Sequence, residues 1–257
     1  MRYPTVNNKH FSSLRNALRL LNLFSKDEPE FNLSEFAERL EIGLSTAFRL
    51  TNTLVEEGFI VRDPHTKLYR PAASILAMGN TIISKIDLCQ ISKPILEKLV
   101  EDTGETSHIA VIRDYQVLYL LKIDNSHPVH LLSHAGKSNP LHCTSTGQVL
   151  LAYQPESVIN QVIDRGLKSY TPKTITDPIR LREILYNIRK QGFSVSLEEL
   201  HNMGASIAAP VKNRNGEVIA SISIAGPTSR INLKTIPRLT KLVQTAAERI
   251  SKELPNN

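Results

Sequence analysis

The stretch Leu44 to Ile60, "LSTAFRLTNTLVEEGFI", decides how the N-terminal part of the chain is read. Ala47, Leu50 and Leu54 fall at i, i+3 and i+7, a narrow apolar stripe for a core on one side of a helix. The other side carries Ser45, Thr46, Phe48, Arg49 and Asn52, with no acid before Glu56. Solvated helix faces usually mix Lys and Glu. Short hydroxyls, an amide, an arginine and an aromatic instead suit a face that contacts something. Ser45 stands where an N-cap residue would, and Gly58 where a left-handed residue would end the helix.

Upstream, Ser13 to Lys26 sets Leu14, Ala17, Leu18, Leu21 and Phe24 at helical spacing, and "KDEPE" stops that helix. In "FNLSEFAERLEIG", Asn32 and Glu35 form a capping-box pattern ahead of the apolar Phe36, Ala37 and Leu40. Glu41 to Leu44 then make a turn centred on Gly43. Downstream, "FIVRDPHTKLYRP" reads as two short strands around Asp63-Pro64-His65-Thr66. Helix, short helix, tight turn, helix and hairpin make a winged helix-turn-helix.

In that motif the second helix of the pair enters the major groove, base edges meeting its first residues while phosphate contacts hold the register. The hydroxyls of Ser45 and Thr46 reach phosphate or base edges, Arg49 pairs with guanine, Asn52 with adenine, and Phe48 meets a thymine methyl. Arg62, His65, Lys67 and Arg70, against the single acid Asp63, form a basic wing for the backbone or minor groove.

Net charge alone does not make this case. The chain of 257 residues carries +6, yet residues 1–75 hold 10 Lys and Arg against 9 Asp and Glu. Most of the excess lies in the remainder, so the placement of charge carries the argument, not its total. The length favours two domains, and 41% hydrophobic with 22% charged residues is the composition of an ordinary globular protein. Cys89 and Cys143 are too far apart in unlike contexts to make a disulfide framework, which suits a reducing compartment. With no signal-like N-terminus and no long apolar run, the expected location is cytoplasmic, with no membrane partner.

Residues 72–103 read as continuously helical, "ASILAMGNTIISKIDLCQ" leading into "ISKPILEKLVEDTG". From Glu105 the texture changes to short β-branched runs: "TSHIAVI", "QVLYLLKI", "VHLLSHAG", "FSVSLE", "SIAAPVK" and "EVIASISIAG". Helical segments near 145–164 and 178–191 lie between the strand groups, and a last helix runs from Leu233 to Glu253. Hairpins with helices grouped between them imply an antiparallel α+β domain of sensor type. Period-2 geometry puts Ser221 and Ser223 on one strand face, and Ser206 can join them from the neighbouring strand. Thr144, Ser145 and Thr146 precede a helix whose unpaired N–H groups and dipole suit a carboxylate. A small acidic metabolite fits these segments.

Catalytic and metal readings are weaker. His142-Cys143 invites a nucleophile, but no third orienting group is evident. His127, His130 and His134 with Cys143 suggest zinc. Strand geometry puts His130 and His134 on one face and His127 beyond a proline, the pattern of loop and sheet-surface histidines. No phosphate-cradling glycine motif is present. No enzyme activity, cofactor or metal is expected. Two rivals stay open on the residues alone: a metabolite-binding enzyme with an accessory DNA-binding domain, and an orphan regulator whose C-terminal domain only oligomerises.

The blocks "SSLRNALRLLNLF", "NLSEFAERLEIGLSTAFRLTNTLVEEGFI", "GETSHIAVI", "NPLHCTSTGQVLLAY", "IRKQGFSVSLEEL" and "IAAPVKNRNGEVIASISIAGP" span about residues 12 to 250. In composition and order they resemble the IclR family of bacterial transcriptional regulators. The resemblance implies an α+β chain with a winged helix-turn-helix over 1–71, a linker helix over 72–88 and a GAF-like effector-binding domain over 89–257. It also implies assembly as a homodimer or homotetramer on double-stranded operator DNA, and a small-molecule effector in a pocket at Ser145, Thr146, Ser196, Ser206, Ser221 and Ser223. Ser196 stands where members often carry an acid, and Ser206 where they often carry a cysteine.

Overall fold

Helices α1 (Ser13–Leu21), α2 (Leu33–Leu40) and α3 (Leu44–Glu56) and strands β1 (Ile60–Arg62) and β2 (Tyr69–Pro71) form the N-terminal unit. The computed structural model describes residues 12–25, 28–83, 86–125 and 135–255. The capping box starts α2: the Glu35 N–H donates to the Asn32 side chain at 3.0 Å, and the Asn32 N–H to the Glu35 carboxylate at 2.6 Å. Glu41, at φ 55, takes the left-handed position that ends α2. Gly43 is extended, and its carbonyl accepts the N–H groups of Thr46 and Ala47 at 2.9 and 3.0 Å. Gly43 is therefore the N-cap of α3 and Ser45 is not, because the helix starts one residue before it. Gly58, at φ 73, ends α3 in the left-handed region.

Ala47, Leu50 and Leu54 are buried as their spacing requires, beside Phe36, Leu40 and Ile60. The first helix differs from expectation. It stops at Leu21, and its inward side is Asn16, Ala17 and Leu20, while Leu14 and Leu18 are 71% and 53% exposed. Phe24 lies beyond the helix and meets Phe31 and Phe36 edge-on, centroids 5.6 and 5.7 Å apart. Phe31 also bridges to Tyr69 through hydrogen bonds of 3.1 and 2.8 Å, adding a short third element to the β1–β2 hairpin.

The chain divides into two compact units, Met1–Ile82 and Ile83–Asn257. The stretch read as continuously helical is two helices, α4 (Ala73–Ile83) and α5 (Asp87–Thr103), with Ile86 extended ahead of α5. The second unit continues with β3 (Thr106–Arg113), β4 (Gln116–Ile123), β5 (Ser138–Pro140), α6 (Ser145–Ala152), α7 (Glu156–Asp164) and α8 (Pro178–Gln191). It ends with β6 (Ser194–Leu197), β7 (Gly204–Lys212), β8 (Val218–Pro227) and α9 (Ile236–Glu253). The single helical segment expected over 145–164 is divided, because Pro155 caps a new helix, α7. The last helix starts at Ile236 instead of Leu233. The strand expected at "VHLLSHAG" and the histidines at 127, 130 and 134 lie largely outside the described residues.

The sheet order is β5-β4-β3-β8-β7-β6, antiparallel throughout, so the seam between β3 and β8 joins two groups of strands distant in sequence. One face, with Ile109, Ile207, Ile222 and Ile224, packs on Leu96 and Leu99 of α5 and Val243 and Ile250 of α9. The other face meets α6 and α8 through Val149, Leu150, Leu181 and Ile188. Gly147 allows the approach of α6 to the preceding loop: a Cβ there would lie 2.5 Å from the Leu141 carbonyl oxygen and 2.6 Å from its Cα. Among the described residues no helix is long and apolar enough to cross a membrane.

Candidate functional site

The α3 face is presented outward. Ser45, Phe48 and Arg49 are exposed, Phe48 at 46%, and Thr46 and Asn52 are half-buried along the same helix. Leu44, at the helix start, is exposed as well. Hydroxyls, a guanidinium and an aromatic together are the groups that phosphates and base edges accept.

The wing is ordered by its one acid. The Asp63 carboxylate accepts the N–H groups of His65 and Thr66, each at 2.8 Å, and these bonds hold its carboxyl below the usual range. Lys67 sits in the left-handed region at φ 62, and its Nζ donates to the Pro64 carbonyl at 2.6 Å. The Arg62 guanidinium lies over the Tyr69 ring, 5.3 Å from its centroid. Arg62, His65, Lys67 and Arg70 are all exposed, so the hairpin presents its cations outward.

In the second unit a cavity of about 70 Å³ lies between the start of α6 and the inner face of the sheet. The Thr144 hydroxyl caps α6, accepting the Gly147 N–H at 3.0 Å and donating to the Pro140 carbonyl at 3.1 Å. Two hydroxyl pairs then tie the helix to the strands. Ser145 donates to Ser206 on β7 at 2.7 Å, and Thr146 to Ser223 on β8 at 2.9 Å. With those oxygens accepting, the Ser206 and Ser223 protons remain to donate elsewhere.

Thr146, Ser196, Ser206 and Ser223 line the cavity, and Ser145 stands behind Ser206. Ser221 does not line it, because its hydroxyl donates to the Ala209 carbonyl at 3.2 Å. It shares a sheet face with Ser223 but lies two residues, roughly 7 Å, further along the strand.

Residues that spacing did not single out complete the wall. They are His108, Tyr119, Asn139, and Glu199 with His201 from the loop between β6 and β7; Cys143, weighed above as a nucleophile, joins them. That loop has left-handed residues at both ends, Glu198 at φ 60 and Met203 at φ 59. The Thr171 hydroxyl donates to the Glu198 carbonyl and the Thr174 hydroxyl to the Glu199 carbonyl, both at 2.6 Å.

Burial governs the protons of the wall. It pushes the Glu199 carboxyl up to about 7, against the opposing pull of hydrogen bonds from Ser196 and Gln148. It pushes the Cys143 thiol up to about 12, with Glu199 adding to the effect, so this sulfur stays a thiol and is no nucleophile. It lowers His108 to about 3, with Lys122 acting the same way. The neighbouring His142 bonds the Lys168 carbonyl at 3.0 Å.

These two units define a class: a helix-turn-helix DNA-binding domain joined to an α+β domain with a cavity lined in part by hydroxyl groups. The chain matches the C-terminal domain of the bacterial transcriptional regulator IclR over residues 80–252 and the IclR helix-turn-helix domain over residues 13–64. It belongs to the IclR family and is a transcriptional regulator, not an enzyme.

It is 34% identical over 222 residues to the uncharacterized HTH-type transcriptional regulator RhmR of Escherichia coli (strain K12), covering 86% of this chain and 84% of that one. The crystal structure of an IclR transcriptional regulator from Alicyclobacillus acidocaldarius superposes with a TM-score of 0.84 at 28% identity, over 95% of this chain and 98% of that one. An IclR homologue from Microbacterium hydrocarbonoxydans, crystallised with 4-hydroxybenzoate, gives 0.83 at 26%, over 94% and 98%.

Proposed function

We propose that this regulator reads operator DNA with α3 and the β1–β2 wing and changes its affinity when a small organic acid enters the C-terminal cavity. The observation that carries this is the pair of hydroxyl bonds across the cavity, Ser145 to Ser206 and Thr146 to Ser223. They put polar hydrogens and the amino end of a helix around one small space, the combination that binds a carboxylate. The homologue crystallised with 4-hydroxybenzoate supports the choice of an organic acid.

On this reading Ser45, Thr46, Phe48, Arg49 and Asn52 meet base edges or nearby phosphates, and Arg62, His65, Lys67 and Arg70 meet the backbone. Double-stranded DNA offers symmetric half-sites, so the working form is a homodimer or a dimer of dimers, acting in the cytoplasm. The effector shifts DNA affinity only by its difference in affinity between two arrangements of the protein, and the usual coupling of about 1–3 kcal/mol changes binding roughly 5- to 150-fold.

The test is a gel shift on DNA selected from a random library, with and without 4-hydroxybenzoate and a panel of small organic acids. At least one acid should move the midpoint, and Ser206→Ala combined with Ser223→Ala should abolish the movement. An acid response undiminished in that double variant would place the effector elsewhere. Light scattering that shows a monomer with full operator affinity would overturn the oligomeric part.

A further inference from the structure

Glu199 is the part of the cavity wall that binding a simple carboxylate leaves unexplained. It is buried, it faces the cavity, and no lysine or arginine is among the described lining residues. A bound carboxylate would share that space with a second acid, while the cations that act on the wall, Lys122 on His108 and Lys137 on His201, do not line it, and like charges in one site repel.

The surroundings of Glu199 are fixed. Gln148 Nε2 donates to Glu199 Oε2 at 2.7 Å and to the His142 carbonyl at 3.0 Å, while Ser194 donates to Gln148 Oε1 at 2.7 Å. The amide therefore turns its donor end to Glu199, and the carboxylate is held as an acceptor. On the same wall, His201 Nε2 is buried with no hydrogen-bond partner among the described residues. An oriented acceptor and, on the same wall, a ring nitrogen with no partner among the described residues match a hydroxyl group, which can donate one hydrogen bond and accept another.

We infer that Glu199 determines the chemical class of effector: a hydroxy acid, whose hydroxyl donates to the Glu199 carboxylate and accepts from His201 Nε2, and whose carboxylate lies on Ser206, Ser223 and the start of α6. The inference rests on the reading of the cavity as an organic-acid site. It adds a discrimination that reading lacks. A site built to pair a ligand hydroxyl rejects the analogue without it, because the buried polar groups are left unpaired.

The test is calorimetric titration of the full-length protein at pH 8 with matched acids: lactate against propionate, 3-hydroxybutyrate against butyrate, and 4-hydroxyphenylacetate against phenylacetate. At that pH Glu199, although pushed up to about 7 by burial, is mostly ionised. In at least one pair the hydroxy acid should bind roughly tenfold tighter or better. In Glu199→Gln the gap should close, chiefly because the acid without the hydroxyl now binds more tightly.

The wild-type comparison needs no variant. Equal or tighter binding by the unhydroxylated partner in every binding pair overturns the role of Glu199 while leaving the organic-acid site standing. An unchanged gap in a folded Glu199→Gln does the same. If no acid of either kind binds, both readings fall.

Discussion

Two groups of small hydroxyls sit in opposite situations in this molecule. On α3, Ser45 and Thr46 stand beside Arg49 and an exposed Phe48, and no side-chain hydrogen bond caps that helix. Around the cavity, Ser145 is bonded to Ser206 and Thr146 to Ser223, tying α6 to β7 and β8, and Ser145, Thr146 and Ser223 are buried. The outward group contributes little to the fold and is free to be spent on a partner. The inward group belongs to the fold and the site at once. Substitutions on α3 should therefore change DNA binding without moving stability, while those around the cavity should move stability whatever they do to binding.

The harshest way to break that comparison is at Gly147. Gly147→Ala drives a Cβ into the Leu141 backbone, and overpacking of this kind costs roughly 3 kcal/mol. Calorimetric melting should show the transition of the second unit falling while that of the first stays in place. A shared drop would mean that the two units do not melt separately.

Next comes Glu199. Its folded carboxyl is raised above the ordinary value of 4.5 to about 7, so its neutral form favours the folded state fully below about pH 4.5, and that contribution is lost as pH rises through about 7. Glu199→Gln stays neutral, so relative to wild type it should gain stability as pH rises between those limits, reaching roughly 3 kcal/mol by pH 8. His108 works in the other direction: depressed to about 3, it withdraws stability as pH falls below about 6.5. The difference between the two proteins in chemical denaturation at pH 5 and pH 8 isolates Glu199, since His108 is common to both. A difference that does not change with pH would mean the carboxyl is not perturbed by burial.

On the DNA side, Arg49→Ala should lose roughly 1–3 kcal/mol on the selected site and relax discrimination at one base pair. Its melting should be unchanged. Equal losses on selected and scrambled DNA would make Arg49 a phosphate contact instead of a base reader.

The smallest effect is expected at Asn32. Asn32→Ala removes one half of the capping box of α2, worth about 1 kcal/mol. It should lower the first transition alone, as followed by circular dichroism.

The legibility of the sequence follows from the range of the forces involved. The capping box, the buried stripe of α3 and the hairpin after Gly58 depend on residues within a few positions of one another, and each is found where the spacing puts it. Ser45 as a cap was a local inference too, and it failed because Gly43 is extended and its carbonyl takes the first helical bonds. The outward turn of Leu14 and Leu18 depends on which side of α1 meets its neighbours, and periodicity marks a stripe without fixing how it rotates. In the second unit, period two assigned Ser221 and Ser223 to one face but was silent on position along the strand. Glu199 and His201 gave no signal, since a loop acid next to Glu198 reads as solvated until Thr171 and Thr174 hold the backbone carbonyls of that loop.

The seam between β3 and β8 also orders events as the chain leaves the ribosome. His108 pairs in register with Ser223, so the cavity gains its central wall only when β8 arrives, long after α3 has emerged. Helix-turn-helix contacts are short in sequence and form early, whereas a sheet closed between distant strands forms late. During synthesis each copy thus passes through an interval in which α3 exists and the chamber proposed to govern it does not.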